Sequence, residues 1–336
     1  MDLKETIKVL AETAGPSGNE DAAAELALGM LKEYCPEAEI KNGNVIGRFG
    51  QFSDEKPSLV LDAHIDQIGM IVTYITDEGF IRMGNLGGID RRLLPAQPVV
   101  IHGSRDIKGV ICSVPPHLNK GDSEVLSFDN AAVDTGMSKV ELEKIVSAGD
   151  SITFDVKCRD LMGSRITGGA LDDRCGVAAI LRTLDMLKGQ ETAFNVTVIF
   201  STQEELGERG AKIGAFEIDP DIAIAVDVSF AYANGENAEN CGYLGKGPMI
   251  GISPSLSREI SDSLISAAKS SDIPYQIEVM SGMTSTNADR YSVNRCGAKT
   301  CTVSIPLRNM HTPVEVIDTA DVELTAQLIA EYIKEG

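Results

Sequence analysis

The chain has 336 residues, 43% of them hydrophobic and 24% charged, which is enough for two globular domains. Fifty acidic residues against 30 basic ones give a formal net charge of −20, which excludes nucleic acid and anionic membranes as partners. No apolar stretch approaches the roughly 20 residues that span a bilayer. Seven dispersed cysteines and a charged, amphipathic start without a signal peptide predict a cytoplasmic protein with reduced, buried thiols.

Two helices are predicted at the start of the chain, over residues 2–14 and 20–34. They are separated by GPSGNE, where Ser17 or Asn19 can cap the second helix. A strand follows at NVIGRFG, and the next at SLVLDAH, residues 58–64, where an apolar run stops abruptly at polar residues.

The pattern changes over residues 67–163. Short β-like runs (GMIVTYI, GFIRMG, PVVIHG, GVICSV and SITFDV) alternate with Gly, Pro and Asp turns, and one helix is predicted near SKVELEKIVSAG. This segment predicts a small β-rich domain, PDZ-like or barrel-like, inserted into a larger domain made of residues 1–66 and 164–336.

After Gly168 helices alternate with apolar strands. A helix at 175–188 is followed by the strands NVTVIFS and IAIAVDV, a helix near 257–270, the strands YQIEVM and KTCTVSI, and a C-terminal helix from about 318. Continuous apolar strands between helices predict an α/β domain, with a mixed, largely parallel central sheet flanked by helices.

Acidic and imidazole side chains follow the apolar strands of this domain. They are His64 and Asp66, Glu204 and Glu205, Asp227, and His311. Open α/β sheets bind ligands at the carboxyl ends of their strands, so we expect these groups to converge on one rim. Asp66 lies two residues after His64, on the same side of an extended strand, and can orient its ring.

A pair of aspartates, Asp172 and Asp173, precedes the apolar run in GGALDDRCGVAAI. One aspartate can cap a helix, but a cap explains one of the two. Histidine with several carboxylates suits zinc, cobalt or manganese, and two hydrolytic metals need a carboxylate that bridges them. Each residue alone has a structural explanation, such as a cap, a structural histidine or an acidic loop. If none of these residues were functional, all of these structural explanations would have to hold at once, at five separate strand or helix ends.

Six segments together resemble a known family. AHIDQIG, GALDDRCG, STQEELGERGA, AVDV, GKGP and IPLRNMHTP are similar, in order and spacing, to the tetrahedral (TET) aminopeptidase and glutamyl aminopeptidase family of dinuclear metallopeptidases. The resemblance covers nearly the whole chain. It includes GGIDRRLLPAQPV and VPPH, the latter with His117, inside the predicted insert.

The resemblance implies a zinc-peptidase-like fold that binds two divalent metal ions per subunit, zinc first, with cobalt or manganese as alternatives. Carried over by position, it makes Asp172 the bridging ligand, with His64 and Asp227 completing one metal and Glu205 and His311 the other. Glu204 would be the general base toward a metal-bridging hydroxide, Asp66 would orient His64, and the Asp172–Asp173 peptide would be cis.

The activity implied is removal of N-terminal residues from peptides with a free N-terminus. The family also implies homo-oligomers, dimer-based tetrahedral dodecamers. An endoglucanase-type glycoside hydrolase is one alternative, but it leaves His64 and His311 unexplained. A metal-dependent deacylase or carboxypeptidase could use the same ligands, and a non-catalytic scaffold on this fold is a third class.

Three positions depart from the family's usual residues: Gln67 replaces glutamate, Asn287 aspartate and Asn309 tyrosine. The last two lie in segments expected to line the substrate pocket, so the preferred N-terminal residue stays open.

Overall fold

A computed structural model describes residues 1–113 and 125–336, so the VPPH motif with His117 lies outside the described residues. Within these ranges the helices are α1 Leu3–Ala11, α2 Asp21–Leu31, α3 Lys139–Leu142, α4 Leu171–Met186, α5 Arg209–Ile218, α6 Arg258–Ser270, α7 Ala288–Ser292 and α8 Thr319–Glu335. The strands there are β1 Glu39–Lys41, β2 Asn44–Phe49, β3 Ser58–His64, β4 Gly69–Ile75, β5 Ile81–Leu86, β6 Pro98–His102, β7 Asp106–Ile111, β8 Ala132–Asp134, β9 Ser151–Phe154, β10 Arg159–Asp160, β11 Arg165–Gly168, β12 Asn195–Ser201, β13 Ile222–Phe230, β14 Met249–Ile252, β15 Gln276–Val279, β16 Lys299–Arg308 and β17 Glu315–Asp318.

A mixed sheet of eleven strands forms the larger part of the molecule. Its order is β1-β2-β12-β3-β13-β16-β17-β11-β10, and β14 and β15 extend it beside β16. The four central strands β12, β3, β13 and β16 are parallel, whereas the flanking pairs β2–β12 and β16–β17 are antiparallel. The residues that follow the four parallel strands therefore meet at one edge of the sheet.

Helices cover both faces of this sheet, as its continuous apolar strands require. Leu59 and Leu61 of β3 belong to the large core that includes residues of α4 and α8, whereas Val60 packs with Ala211 of α5 and Tyr291 of α7 on the other face. The predicted α/β fold with a mixed central sheet is confirmed. Because side chains alternate along a strand, Asp62 and His64 share the face of Val60.

The β-rich segment forms a closed barrel with the strand order β4-β5-β8-β7-β6-β9. Met70, Val99 and Ile152 lie in its own core, which is separate from the core under the large sheet. All six barrel strands lie between Gly69 and Phe154, inside the predicted insert, whereas β10 at Arg159–Asp160 pairs with β11 of the large sheet. The division into 1–66 plus 164–336 and 67–163 stays a prediction.

The predicted cap of α2 is wrong. Glu20 occupies the N-cap position without a side-chain cap hydrogen bond. Ser17 donates its hydroxyl to Asp66, and the Asn19 amide donates to the Ser151 hydroxyl at 2.8 Å. Both side chains therefore bind distant segments and do not cap α2.

The thiols are more varied than predicted. All seven cysteines are free, but Cys35, Cys175 and Cys301 alone are buried and Cys296 is exposed. Among the described residues, no helix is long and apolar enough to cross a membrane.

Candidate metal centre

The two adjacent aspartates at the start of α4 have different surroundings. Both have non-helical backbone angles, so the regular helix begins after them, and the peptide bond between them is cis, as expected. The buried carboxylate of Asp173 accepts hydrogen bonds from the backbone N–H groups of Gly176, at 3.1 Å, and His64, at 3.2 Å. Asp173 thus caps the helix, whereas the Asp172 carboxylate faces two imidazoles.

Asp172 lies between the two predicted histidines. Its Oδ1 is 3.0 Å from His64 Nε2, and its Oδ2 is 3.4 Å from His311 Nε2. Glu205 Oε1 is also 3.4 Å from His311 Nε2, and Asp227 Oδ1 is 4.0 Å from His64 Nε2. The structure therefore brings all five predicted ligands together around one central carboxylate.

Side chains with ligand atoms within 4.8 Å of one another form three overlapping groups. The first, Asp172 with Glu205 and His311, coincides with one predicted ligand set. In the second, Asp173 joins His64 and Asp227, where the prediction has Asp172. The third consists of His64, Glu204 and Glu205. Glu204, the predicted base, thus lies beside both candidate metal positions.

Asp66 connects the end of β3 to the loop that follows β12. His64 Nδ1 lies 3.1 Å from the Asp66 carbonyl oxygen and 3.5 Å from its carboxylate. The same carboxylate accepts hydrogen bonds from the backbone N–H groups of Glu204, at 2.9 Å, and Glu205, at 3.2 Å. Asp66 therefore fixes the His64 ring and the two glutamates relative to one another.

Sequence reasoning missed Glu315, a buried acid on β17. Its Oε2 accepts from the N–H groups of Leu171, at 2.8 Å, and Asp172, at 3.2 Å, and its Oε1 accepts from the His311 N–H at 3.1 Å. Glu315 thus holds the backbone of two predicted ligands. Its position four residues after His311, in HTPVE, is the one sequence signal for it.

The loop after β5 of the barrel also reaches the centre. A Cβ added to Gly87 would lie 2.9 Å from Glu205 Oε2, and one added to Gly88 would lie 2.8 Å from His311 Nδ1. Both glycines allow the barrel backbone to approach the ligands closely. They belong to the GGIDRR motif, for which the sequence indicates no role in the site.

Three residues at the centre have left-handed backbone conformations: Ala170, Gln203 and His311, with φ of 57°, 53° and 60°. Such conformations are costly for residues other than glycine and cluster at active sites. Ala170 lies two residues before the aspartate pair, Gln203 lies directly before the glutamate pair, and His311 is itself a predicted ligand.

The carboxylates repel one another in this buried site. Burial, together with the charges of Asp227, Glu205 and Asp172, raises the pKa of Glu204 to about 9. Burial and the charge of Asp172 raise the pKa values of Glu205 and Asp227 to about 7. If all of these carboxylates were ionised, the site would carry more negative charge than its two histidines could balance.

The pKa values of the two histidines are also raised, but here the cause is the neighbouring carboxylates and burial opposes it. Burial disfavours protonation of the His311 ring, but the hydrogen bond to Asp172 and the charge of Glu205 outweigh it and raise the pKa of His311 to about 9. The Asp172 and Asp66 contacts likewise raise the pKa of His64 well above its usual value, against the effect of burial.

The donor set fits a pair of divalent cations. Imidazole nitrogens and carboxylate oxygens are the ligands that zinc, cobalt and manganese accept. Buried carboxylates persist when they are paired with positive charge or coordinate a metal. Two divalent ions would supply the positive charge that these residues lack.

A family model described as M42 glutamyl aminopeptidase matches residues 43–328. The chain belongs to the M42 glutamyl aminopeptidase family. It is therefore an aminopeptidase, a hydrolase that acts on peptide bonds, and the resemblance stated from its motifs is confirmed.

M42 relatives match over almost the full length. A lysyl aminopeptidase of Pyrococcus furiosus is 32% identical over 98% of this chain and 96% of its own length. The structure of aminopeptidase APDkam598 of Desulfurococcus kamchatkensis has a TM-score of 0.93 and 34% identity, covering 99% of this chain and 95% of that one. The Pyrococcus horikoshii TET1 peptidase, which can assemble into a tetrahedron or a large octahedral shell, has a TM-score of 0.88 and 30% identity, with both chains fully covered.

Two of the positions that depart from the M42 pattern have structural roles. Asn287 is buried, and its amide donates to Asp62 Oδ1 at 3.1 Å and to the Ser201 hydroxyl at 2.7 Å. The Asn309 amide donates to the Val314 carbonyl at 3.1 Å, within the turn that carries His311. An aspartate at 287 would face the Asp62 carboxylate, whereas the asparagine present donates a hydrogen bond to it.

Proposed function

We propose that this M42 aminopeptidase holds one divalent ion with His64, Asp172 and Asp227, and a second with Asp172, Glu205 and His311. The position of Asp172 is the main support for the proposal. Its two carboxylate oxygens face the Nε2 atoms of His64, at the end of β3, and of His311, in the turn after β16. A carboxylate shared in this way is what a pair of hydrolytic metals requires. Zinc is the first choice of ion, and cobalt and manganese are the alternatives.

Bound ions would lower the pKa of a water molecule and polarise the scissile carbonyl group. Glu204 performs the proton transfer, because it lies beside His64 and Glu205 at the junction of both ligand sets. Its carboxylate takes a proton from the attacking water and passes it to the leaving amine.

The other residues of the site position the reacting groups. Asp66 keeps the His64 ring in place through its carbonyl and carboxylate oxygens. The surrounding carboxylates attract the positively charged α-amine of a peptide, which favours substrates with an unmodified N-terminus. A glycoside hydrolase would leave His64 and His311 without a role.

A Glu204→Gln variant tests the mechanism, because glutamine keeps the shape of glutamate but cannot accept the proton. We expect kcat to fall by roughly 10²- to 10⁴-fold, with two zinc ions still bound per chain. Glu25→Gln, on the exposed face of α2, is the control for loss of one negative charge. Near-wild-type turnover of Glu204→Gln would remove Glu204 from the mechanism.

Paired substrates separate the aminopeptidase from a deacylase on the same site. The proposal predicts cleavage of peptides with a free amine and no cleavage of their N-acetylated forms. Preference for the acetylated peptide would instead support the deacylase alternative.

The protein is also proposed to form homo-oligomers, built from dimers up to a tetrahedral dodecamer. The support is the full-length similarity to the P. horikoshii TET1 peptidase, which can assemble into a tetrahedron or a large octahedral shell. Sedimentation velocity tests this, with a dodecamer expected and a monomer at all concentrations contradicting it.

A further inference from the structure

Glu278 is an acid on the edge strand β15 that the proposed chemistry does not use. Its Oε2 accepts a hydrogen bond from the Ser304 hydroxyl at 2.8 Å, and its Oε1 accepts one from the Ser229 hydroxyl. It is partly buried in spite of its charge. Buried glutamates are normally paired with a cation, so the surroundings of this one need an explanation.

The two serines connect Glu278 to the metal centre. Ser304 of β16 is the direct register partner of Asp227 on β13, and in a parallel pair such residues point to the same face. Ser229 lies two residues after Asp227 and shares that face. Ser304 is therefore about one strand spacing, roughly 4.8 Å, from the proposed metal ligand Asp227. The Glu278 carboxylate is one hydrogen bond further away, on the same face of the sheet.

Within residues 1–113 and 125–336, no cationic side chain pairs with this carboxylate. Burial raises the pKa of Glu278, the hydrogen bonds from Ser229 and Ser304 oppose that effect, and no basic side chain of the described residues contributes. A carboxylate has about four acceptor positions, and the serines use two of them. Beside the two serine donors recorded among the described residues, two positions remain for a ligand.

The rim beside Glu278 is open to solvent. Ser229, which donates to Glu278 and lies on the same face as Asp227, is partly exposed. A ligand can therefore approach this face from solvent. The net charge of −20 also favours positively charged ligands.

We propose that Glu278 determines specificity, by binding the positively charged side chain of a lysine or arginine at the substrate N-terminus. This inference rests on the proposed aminopeptidase function and assigns its substrate class. Lysine places its ammonium group at the end of a four-carbon stem, long enough to reach beyond Asp227 and Ser304 while its α-amine stays at the metals. A substrate that begins with glutamate would be repelled.

The experiment compares kcat/KM of the zinc-loaded full chain on lysyl, arginyl, norleucyl and glutamyl p-nitroanilides. Norleucine matches the lysine stem without its charge. We expect the wild type to prefer lysyl over norleucyl substrate by at least about tenfold, the usual effect of a hydrogen bond to a charged group. Glu278→Gln should remove most of this preference and leave norleucyl cleavage within about twofold, Glu278→Asp should restore part of it, and Glu25→Gln should not change it.

Each other outcome overturns the inference. Equal cleavage of lysyl and norleucyl substrates by the wild type would by itself overturn it. This comparison needs no variant, so it holds even if Glu278→Gln fails to fold. An equal loss on all substrates in Glu278→Gln would show a structural role. Inactivity of the wild type on all four substrates would overturn the proposed function as well, whereas good norleucyl cleavage without a lysyl preference would overturn the specificity alone.

Discussion

Replacing Glu315 with alanine tests whether the metal centre depends on its buried support. The glutamate accepts three backbone hydrogen bonds, from the N–H groups of Leu171, Asp172 and His311. Alanine leaves all three donors without an acceptor in a site where the glutamate is 1% exposed. Glutamine can still accept through its amide oxygen, so Glu315→Gln should lie between the wild type and Glu315→Ala.

The size of the effect follows from these contacts. A buried donor left unsatisfied costs about 1–3 kcal/mol, so three of them would cost several kcal/mol. Burial and the charge of Asp172 both raise the pKa of Glu315. Removing the Glu315 carboxylate relieves this repulsion and so offsets part of the loss. We therefore expect a net loss of roughly 3 kcal/mol in the free energy of unfolding, near the lower limit of the three-bond sum.

Two assays follow the prediction. Thermal unfolding of the metal-free protein should show a midpoint lowered by roughly 6–12 °C. Isothermal titration with zinc should show an affinity reduced by about 10- to 100-fold, as for other residues that orient metal ligands. Glu25→Ala, on the exposed face of α2, is the control. Wild-type zinc affinity in Glu315→Ala would show that the metal centre does not depend on Glu315.

Two further predictions concern residues that are not themselves proposed ligands. Tyr291→Phe removes a hydroxyl that donates to the buried Asp62 carboxylate at 2.7 Å, so urea denaturation should show a loss of about 1.5–3 kcal/mol with kcat nearly unchanged. Unchanged stability would contradict this. Gly88→Ala places a Cβ 2.8 Å from His311 Nδ1, whereas in Gly84→Ala the nearest atom is 3.5 Å away. The first variant should lose about tenfold or more in zinc affinity and the second should not, and equal affinities would show that the barrel loop does not constrain the ligand.

The convergence of the site could be predicted because strand ends are a local signal. The predicted strand 58–64 coincides with β3, and the end of its apolar run marks the position of His64. Three other strands end near acids or a histidine, and their parallel pairing brings these groups to one edge. Apolar runs between helices predict such a sheet without knowledge of its strand order.

The supports of the site could not be predicted, because they join segments far apart in sequence. Glu315 lies 143 residues from Asp172, which it holds through the backbone. Ser17 is a good helix cap by residue type, but it donates to Asp66, 49 residues away. Gly88 reaches His311 from the barrel, and no periodicity indicates which loop of a barrel contacts its neighbour.

The roles of Asp172 and Asp173 also could not be assigned from the residues alone. The sequence indicates that one cap cannot explain both residues, but not which residue is the cap. The Gly176 N–H group decides this, because it donates to Asp173. The Asp172 carboxylate is then left for the histidines.

Anomalous diffraction from crystals of the zinc-loaded protein would locate the bound metals and show whether Asp172 is shared between them. We predict two zinc peaks per chain, one in contact with His64 and Asp227, the other with Glu205 and His311, and Asp172 in contact with both. A single peak, or two peaks that do not share Asp172, would contradict the account.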